Sequence, residues 1–83
     1  MSSEEIPQLT RVDSSNIWGV AYVPETEFFY IRFKDKEGNP TSLHRFTGVP
    51  ESVYRAFAAS YSKGKFFHTN IKGNRDYPSA KIG

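Results

Sequence analysis

The hydrophobic period of this chain changes once, at Gly48-Val49-Pro50, from two residues upstream to about four downstream. That change calls for a sheet followed by a helix packed on it. Upstream, Ile17-Trp18-Gly19-Val20-Ala21-Tyr22-Val23 is apolar on both faces, too short and too β-branched for a helix, and predicts an internal strand. Pro24-Glu25-Thr26 supplies a turn. Glu27 to Lys34 then alternates, with Phe29, Ile31 and Phe33 on one face and Arg32 and Lys34 on the other, the pattern of a half-buried strand. Gly38-Asn39-Pro40 breaks the extended run, and a third strand is expected from Ser42 to Thr47. Downstream, Pro50 suits the first helical position and Glu51 the positive end of the helix dipole. Val49, Val53, Phe57 and Tyr61 form the apolar stripe of a helix about three turns long, with Glu51, Ser52, Arg55 and Ala59 facing water. Ser60 and Ser62 weaken that helix and Gly64 is placed to end it, after which Phe66 to Ile71 is expected to return as a strand. The expected class is α+β: a single small domain with an antiparallel meander of three strands, one helix, then a final strand or extended segment, β-β-β-α-β.

A chain of 83 residues holds one hydrophobic core, which excludes multidomain mechanisms. Seven Phe, five Tyr and one Trp against two Leu favour strands over helices. With no cysteine there is no disulfide framework and no thiolate metal site, which fits a reducing compartment. Residues 1–10 are polar, interrupted by Pro7, and read as a disordered leader without the basic and apolar pattern of a signal peptide. Residues 11–78 form the expected domain and 79–83 a flexible tail. No run approaches the ~18 apolar residues of a membrane span, so a soluble, cytoplasmic protein with no membrane partner is expected. The modest core is compatible with a homodimer.

The inventory for catalysis is thin, and neither an enzyme nor a cofactor is expected. The two histidines, His44 and His68, lack metal-ligand spacing. Asp13, Ser14 and Ser15 read as a turn or cap, with no local pattern that brings a histidine to them. The carboxylates scatter without a close pair inside an apolar run. Charge carries more information. Residues 1–42 have four bases and seven acids, residues 43–83 seven bases and two acids, and the stretch from Lys63 to Arg75 has four bases and no acid. Within it Lys63, Lys65, Lys72 and Arg75 are candidates for phosphate contacts, Gly64 and Gly73 for close backbone approach, Phe66, Phe67 and His68 for base stacking, and Asn70 and Asn74 for base edges. A second candidate patch is His44, Arg45 and Phe46, where alternation separates Arg45 from the other two. Trp18, inside an apolar strand, reads as a core anchor. These features point to a binding module for RNA or another polyanion, with a protein-interaction adaptor docking through a sheet edge or aromatic patch as the alternative.

Lys63-Gly64-Lys65-Phe66-Phe67 fails as the aromatic octamer of RNA-recognition motifs, which wants an aromatic where Lys65 stands and Gly or Ala where Phe66 stands. A different resemblance covers residues 12–78. Val12-Asp13-Ser14-Ser15-Asn16-Ile17, Val20-Ala21-Tyr22 with Pro24-Glu25-Thr26, Phe29 to Phe33, Leu43 to Pro50, the helix, and Ser62-Lys63-Gly64-Lys65-Phe66-Phe67 leading to Asn70-Ile71-Lys72 follow one another as in the KTSC domain, which the chain resembles in order and spacing. That domain is named for the C-terminal region of some lysyl-tRNA synthetases and is found also as free-standing small proteins. The family's tyrosine-x-tyrosine pattern corresponds to His44-Arg45-Phe46, with both tyrosines replaced and the following Gly48-Val49-Pro50 intact. By analogy with an enzyme that handles tRNA, the resemblance implies RNA binding, binding of another protein, or bracing of a neighbouring domain.

Overall fold

The computed structural model describes residues 6–83. Five antiparallel strands lie in sequence order across one sheet: β1 (Thr10–Arg11), β2 (Ile17–Val23), β3 (Phe28–Lys34), β4 (Pro40–Phe46) and β5 (Ser79–Lys81). Between β4 and β5 come helix α1 (Glu51–Ala59), helix α2 (Lys63–Phe66) and a π-helical turn (Phe67–Ile71) that continues α2 without a break. The meander follows from its turns. Asp35 Oδ1 accepts from the amides of Glu37 and Asn39 at 3.0 and 2.9 Å, and Gly38 takes φ 88°, so β3 must reverse into β4 there.

Register explains which residues are buried. Tyr22, Phe29 and Phe46 lie opposite one another across β2, β3 and β4, as do Val20, Ile31 and His44, so these side chains share one face. Ile17, Val20, Phe29, Ile31 and Phe46 of that face pack with Val49, Phe57, Phe67 and Ile71 in the main core. The opposite face carries Ala21, Tyr30 and Leu43, buried beneath Leu9, Val23, Phe28 and Ile82. Aromatic rings meet edge to face through the main core: Phe29 with Phe57 at 5.2 Å, Phe33 with Phe67 at 5.4 Å, and Phe46 with Phe67 at 5.5 Å between centroids. Tyr22 instead stacks on Tyr54 of α1 at 4.7 Å and donates its hydroxyl to the Val49 carbonyl at 2.6 Å, which pins the start of the helix to the sheet.

The α+β class and the antiparallel sheet match the sequence reading, with four corrections. Four strands precede the helix where three were expected, because Thr10–Arg11 pairs with Val20 and Gly19. Of the expected leader, residues 1–5 lie outside the described residues. The span 79–83, expected as a flexible tail, pairs with β4: Ser79, Ala80 and Lys81 face Phe46, Arg45 and His44, and Leu43 exchanges backbone hydrogen bonds with Ile82 and Gly83. Phe66 to Ile71, expected as a strand, is helical: the Ser62 hydroxyl accepts from the Lys65 amide at 3.4 Å to cap α2, and the i,i+4 pair Phe67 and Ile71 enters the core. Finally, α1 ends at Ala59, before Gly64, since the Ser60 amide and hydroxyl both bond the Phe57 carbonyl, at 3.1 and 2.7 Å. Tyr61 therefore leaves the apolar stripe and stands fully exposed.

Candidate nucleic-acid interface

Two sequence motifs 45 or more residues apart meet beside α2. The turn Asp13-Ser14-Ser15-Asn16 precedes β2 and is braced from within: Ser14 Oγ donates to Asn16 Oδ1 at 3.1 Å and accepts from the amides of Asn16 and Ile17. The Asn16 carbonyl accepts from the Lys34 amide at 3.1 Å, tying the turn to β3. Against it lies Gly64, whose missing side chain is required by the contact: a Cβ there would come 2.8 Å from Asn16 Oδ1. Around this contact opens a cleft of about 730 Å³, lined by Asp13, Ser14, Ser15 and Asn16 on one wall and by Tyr61, Ser62, Lys63, Gly64, Lys65 and His68 on the other.

The walls differ in charge. Lys63, Lys65 and His68 line the α2 side and Asp13 the other, so the basic side chains lie on the α2 wall. Lys63 is half-buried and donates to the Ser60 carbonyl at 3.2 Å, so part of its role is to close the C-terminus of α1. Lys65 and His68 are exposed. The Ser14 hydroxyl, fully used inside its turn, is placed as a cap and not as a nucleophile. Among the described residues, no group of three or more His, Cys, Asp or Glu is arranged to hold a metal ion.

A second cavity, of about 360 Å³, adjoins the first and shares Asn16 and His68 with it. The rings of Phe33, Phe46 and Phe67, the side chains of His44, Lys72 and Ser79, and Gly73 complete its lining. His44 Nε2 lies 3.1 Å from Ser42 Oγ, and burial, with Lys81 nearby, lowers its pKa below the usual 6.5.

The stretch from Lys63 to Arg75 is divided by its helical form. Lys63, Gly64, Lys65 and His68 reach the cleft, and Lys72 reaches the second cavity. Phe67 is buried, and Phe66 is half-buried and meets Phe57 at 6.1 Å, so neither phenyl lies bare for stacking. Asn70 and Asn74 are spent on the backbone: their side-chain amides donate to the carbonyls of Phe66 and Asn70, at 3.2 and 3.1 Å. Arg75 is exposed and lies outside both cavities. In the second patch, His44 and Phe46 face the main core while Arg45, on the other face, sets its guanidinium 4.8 Å from the Phe28 ring centroid. Trp18 is half-exposed under the Arg11 guanidinium at 4.2 Å, and so is no core anchor. Sequence reasoning missed Tyr61 as a site residue, although Ser60 and Ser62 on either side of it were the signal that the helix would stop short.

A KTSC domain profile matches residues 13–77, a span that takes in both walls of the cleft. No curated protein matches the chain. Among solved structures, the crystal structure of a KTSC domain protein from Yersinia pestis superposes with a TM-score of 0.80 at 33% identity, covering 92% of this chain and 97% of that one. Motif order, matched span and shared fold agree, and the chain belongs to the KTSC domain family.

Proposed function

We propose that this KTSC domain is a non-enzymatic module that binds single-stranded RNA, holding phosphates on Lys63, Lys65 and His68 and stacking a base on Tyr61. The observation that carries the reading is the fully exposed Tyr61 ring at the rim of a cleft whose α2 wall is cationic. An aromatic face beside positive charge is the combination that tracks a single strand, since each stacked base contributes about 1–3 kcal/mol whatever its identity. Ser15 and Asn16 on the opposite wall are polar partners suited to a 2′-hydroxyl, which favours RNA over DNA. Lys72 and Arg75 extend the positive surface beyond the cleft.

The test is anisotropy titration of a labelled uridine decamer across a range of salt. Single-strand binding loses about 0.7 log units of affinity per log unit of salt for each phosphate neutralised, so the four cations Lys63, Lys65, Lys72 and Arg75 predict a slope of roughly −3. Lys65→Glu with Lys72→Glu, both at exposed positions, should flatten the slope by about half. Absence of binding at low salt, or a slope near zero, refutes the proposal.

A further inference from the structure

We propose that the second cavity is a pocket for one unstacked nucleobase of the bound strand, whose own phosphate rests in the adjoining cleft; this rests on the RNA-binding reading above. The two cavities share Asn16 and His68, so they are near enough for one ligand to reach both. Their chemistries differ as the two ends of a nucleotide differ. The cleft is polar and carries Lys63 and Lys65, whereas the second cavity is walled by the Phe33, Phe46 and Phe67 rings. An aromatic cavity with a few convergent polar groups is the form that recognises a planar heterocycle. Here those groups are Asn16, His44, His68 and Ser79, which come from four separate segments.

The positions of these groups are held by the fold. Phe33 and His44 meet at 5.4 Å and Phe33 and Phe67 at 5.4 Å, so the rings that form the walls brace one another. Ser42 engages Nε2 of His44, and among the described residues Nδ1 has no hydrogen-bond partner, which leaves it for a ligand. Burial favours the neutral imidazole, whose Nδ1 then offers a base edge either a donor or an acceptor, according to the tautomer that Ser42 selects at Nε2. Lys72 at the cavity adds the charge needed by a second phosphate on the far side of the base. An aliphatic or acyl ligand would satisfy the ring walls but neither the polar groups nor the cationic cleft next door.

The pocket is tested by filling it. Ser79 is exposed and paired with Phe46, so Ser79→Trp places an indole over the cavity without touching the cleft lysines. Two probes are titrated against the wild-type protein and the variant: the uridine decamer, and inorganic polyphosphate as a chain with charge and no bases. Ser79→Trp should weaken the decamer about tenfold, the size of one base contact, and change polyphosphate binding by less than about twofold. A decamer carrying one 2-aminopurine should lose emission on binding to the wild-type protein and not to the variant. His44→Ala, which strips polar contacts while leaving the backbone pairing, should weaken the decamer in the same selective way and covers the case where the indole disturbs folding. If both variants bind the decamer as tightly as wild type, the pocket is refuted while RNA binding stands. If wild type binds neither probe, the RNA reading falls and the pocket falls with it.

Discussion

Gly64→Ala puts the contact between the two cleft walls under a direct measurement. The glycine sits in the first turn of α2 with Asn16 Oδ1 at 2.8 Å from the place a methyl would occupy, closer than atoms tolerate. Helix propensity alone predicts a gain of up to about 1 kcal/mol from alanine. The clash opposes it. Asn16 cannot withdraw cheaply, since its side chain is held by Ser14 Oγ at 3.1 Å and its carbonyl by the Lys34 amide at 3.1 Å. Overpacking of this kind costs about 1–3 kcal/mol, and loss of the Ser14 hydrogen bond about another 1. The net expectation is a destabilisation of about 1–3 kcal/mol, seen in urea as a midpoint lowered by about 1–2 M. Asn16→Ser shortens the obstructing side chain, so in the double variant the alanine should cost little, with a coupling of at least about 1 kcal/mol. A Gly64→Ala protein more stable than its parent would refute the claim that the missing Cβ is what lets α2 dock on the turn.

The remaining predictions concern single side chains. Phe67→Ala should cost about 3–5 kcal/mol in urea unfolding, enough to unfold much of so small a domain, whereas half-buried Phe66→Ala should cost clearly less; equal losses would contradict the division of the two rings. Tyr61→Ala should leave stability within about 0.5 kcal/mol, because the ring is fully exposed, while weakening the uridine decamer by about tenfold; a drop in stability with unchanged RNA affinity would reverse its assignment. Because folding lowers the His44 pKa, the native state binds fewer protons than the unfolded chain just below pH 6.5, so stability should fall as pH drops through that region and be complete above it. Thermal unfolding of His44→Gln should show a shallower pH dependence there than wild type, and an unchanged profile would exclude His44 as its source.

How much of this was legible depends on where the stabilising interactions originate. β2, β3 and α1 carry their own signatures: continuous apolar residues, alternation at Phe29 and Ile31, and the Pro50-Glu51 start. β1 and β5 carry none, since Thr10-Arg11 and Ser79-Ala80-Lys81 are polar or small and are extended because longer strands offer them hydrogen bonds. The Phe66–Ile71 segment has β-prone residues, yet the Ser62 cap and the spacing of Phe67 and Ile71 override that preference. For the site, Lys63, Lys65 and His68 were legible as a basic stretch, and Asp13 to Asn16 as a turn. Their meeting was not, because it depends on a tertiary contact that only Gly64 hints at. The phenyl rings were assigned to stacking for the same reason that the segment was read as a strand: a strand would have turned one of them outward, whereas the helical spacing turns Phe67 into the core.

The brevity of the outermost strands also bears on how the molecule behaves in a crowded solution. Strands β2 to β4 are seven residues each, long enough to template fibrillar stacking if their flanks lay open. Two residues on one side and three on the other, ending in the charged Arg11 and Lys81, stand at the borders where another chain would add. Clipping after Pro78 would bare the flank of β4, so proteolysis at that point should turn the protein into a seed for aggregation.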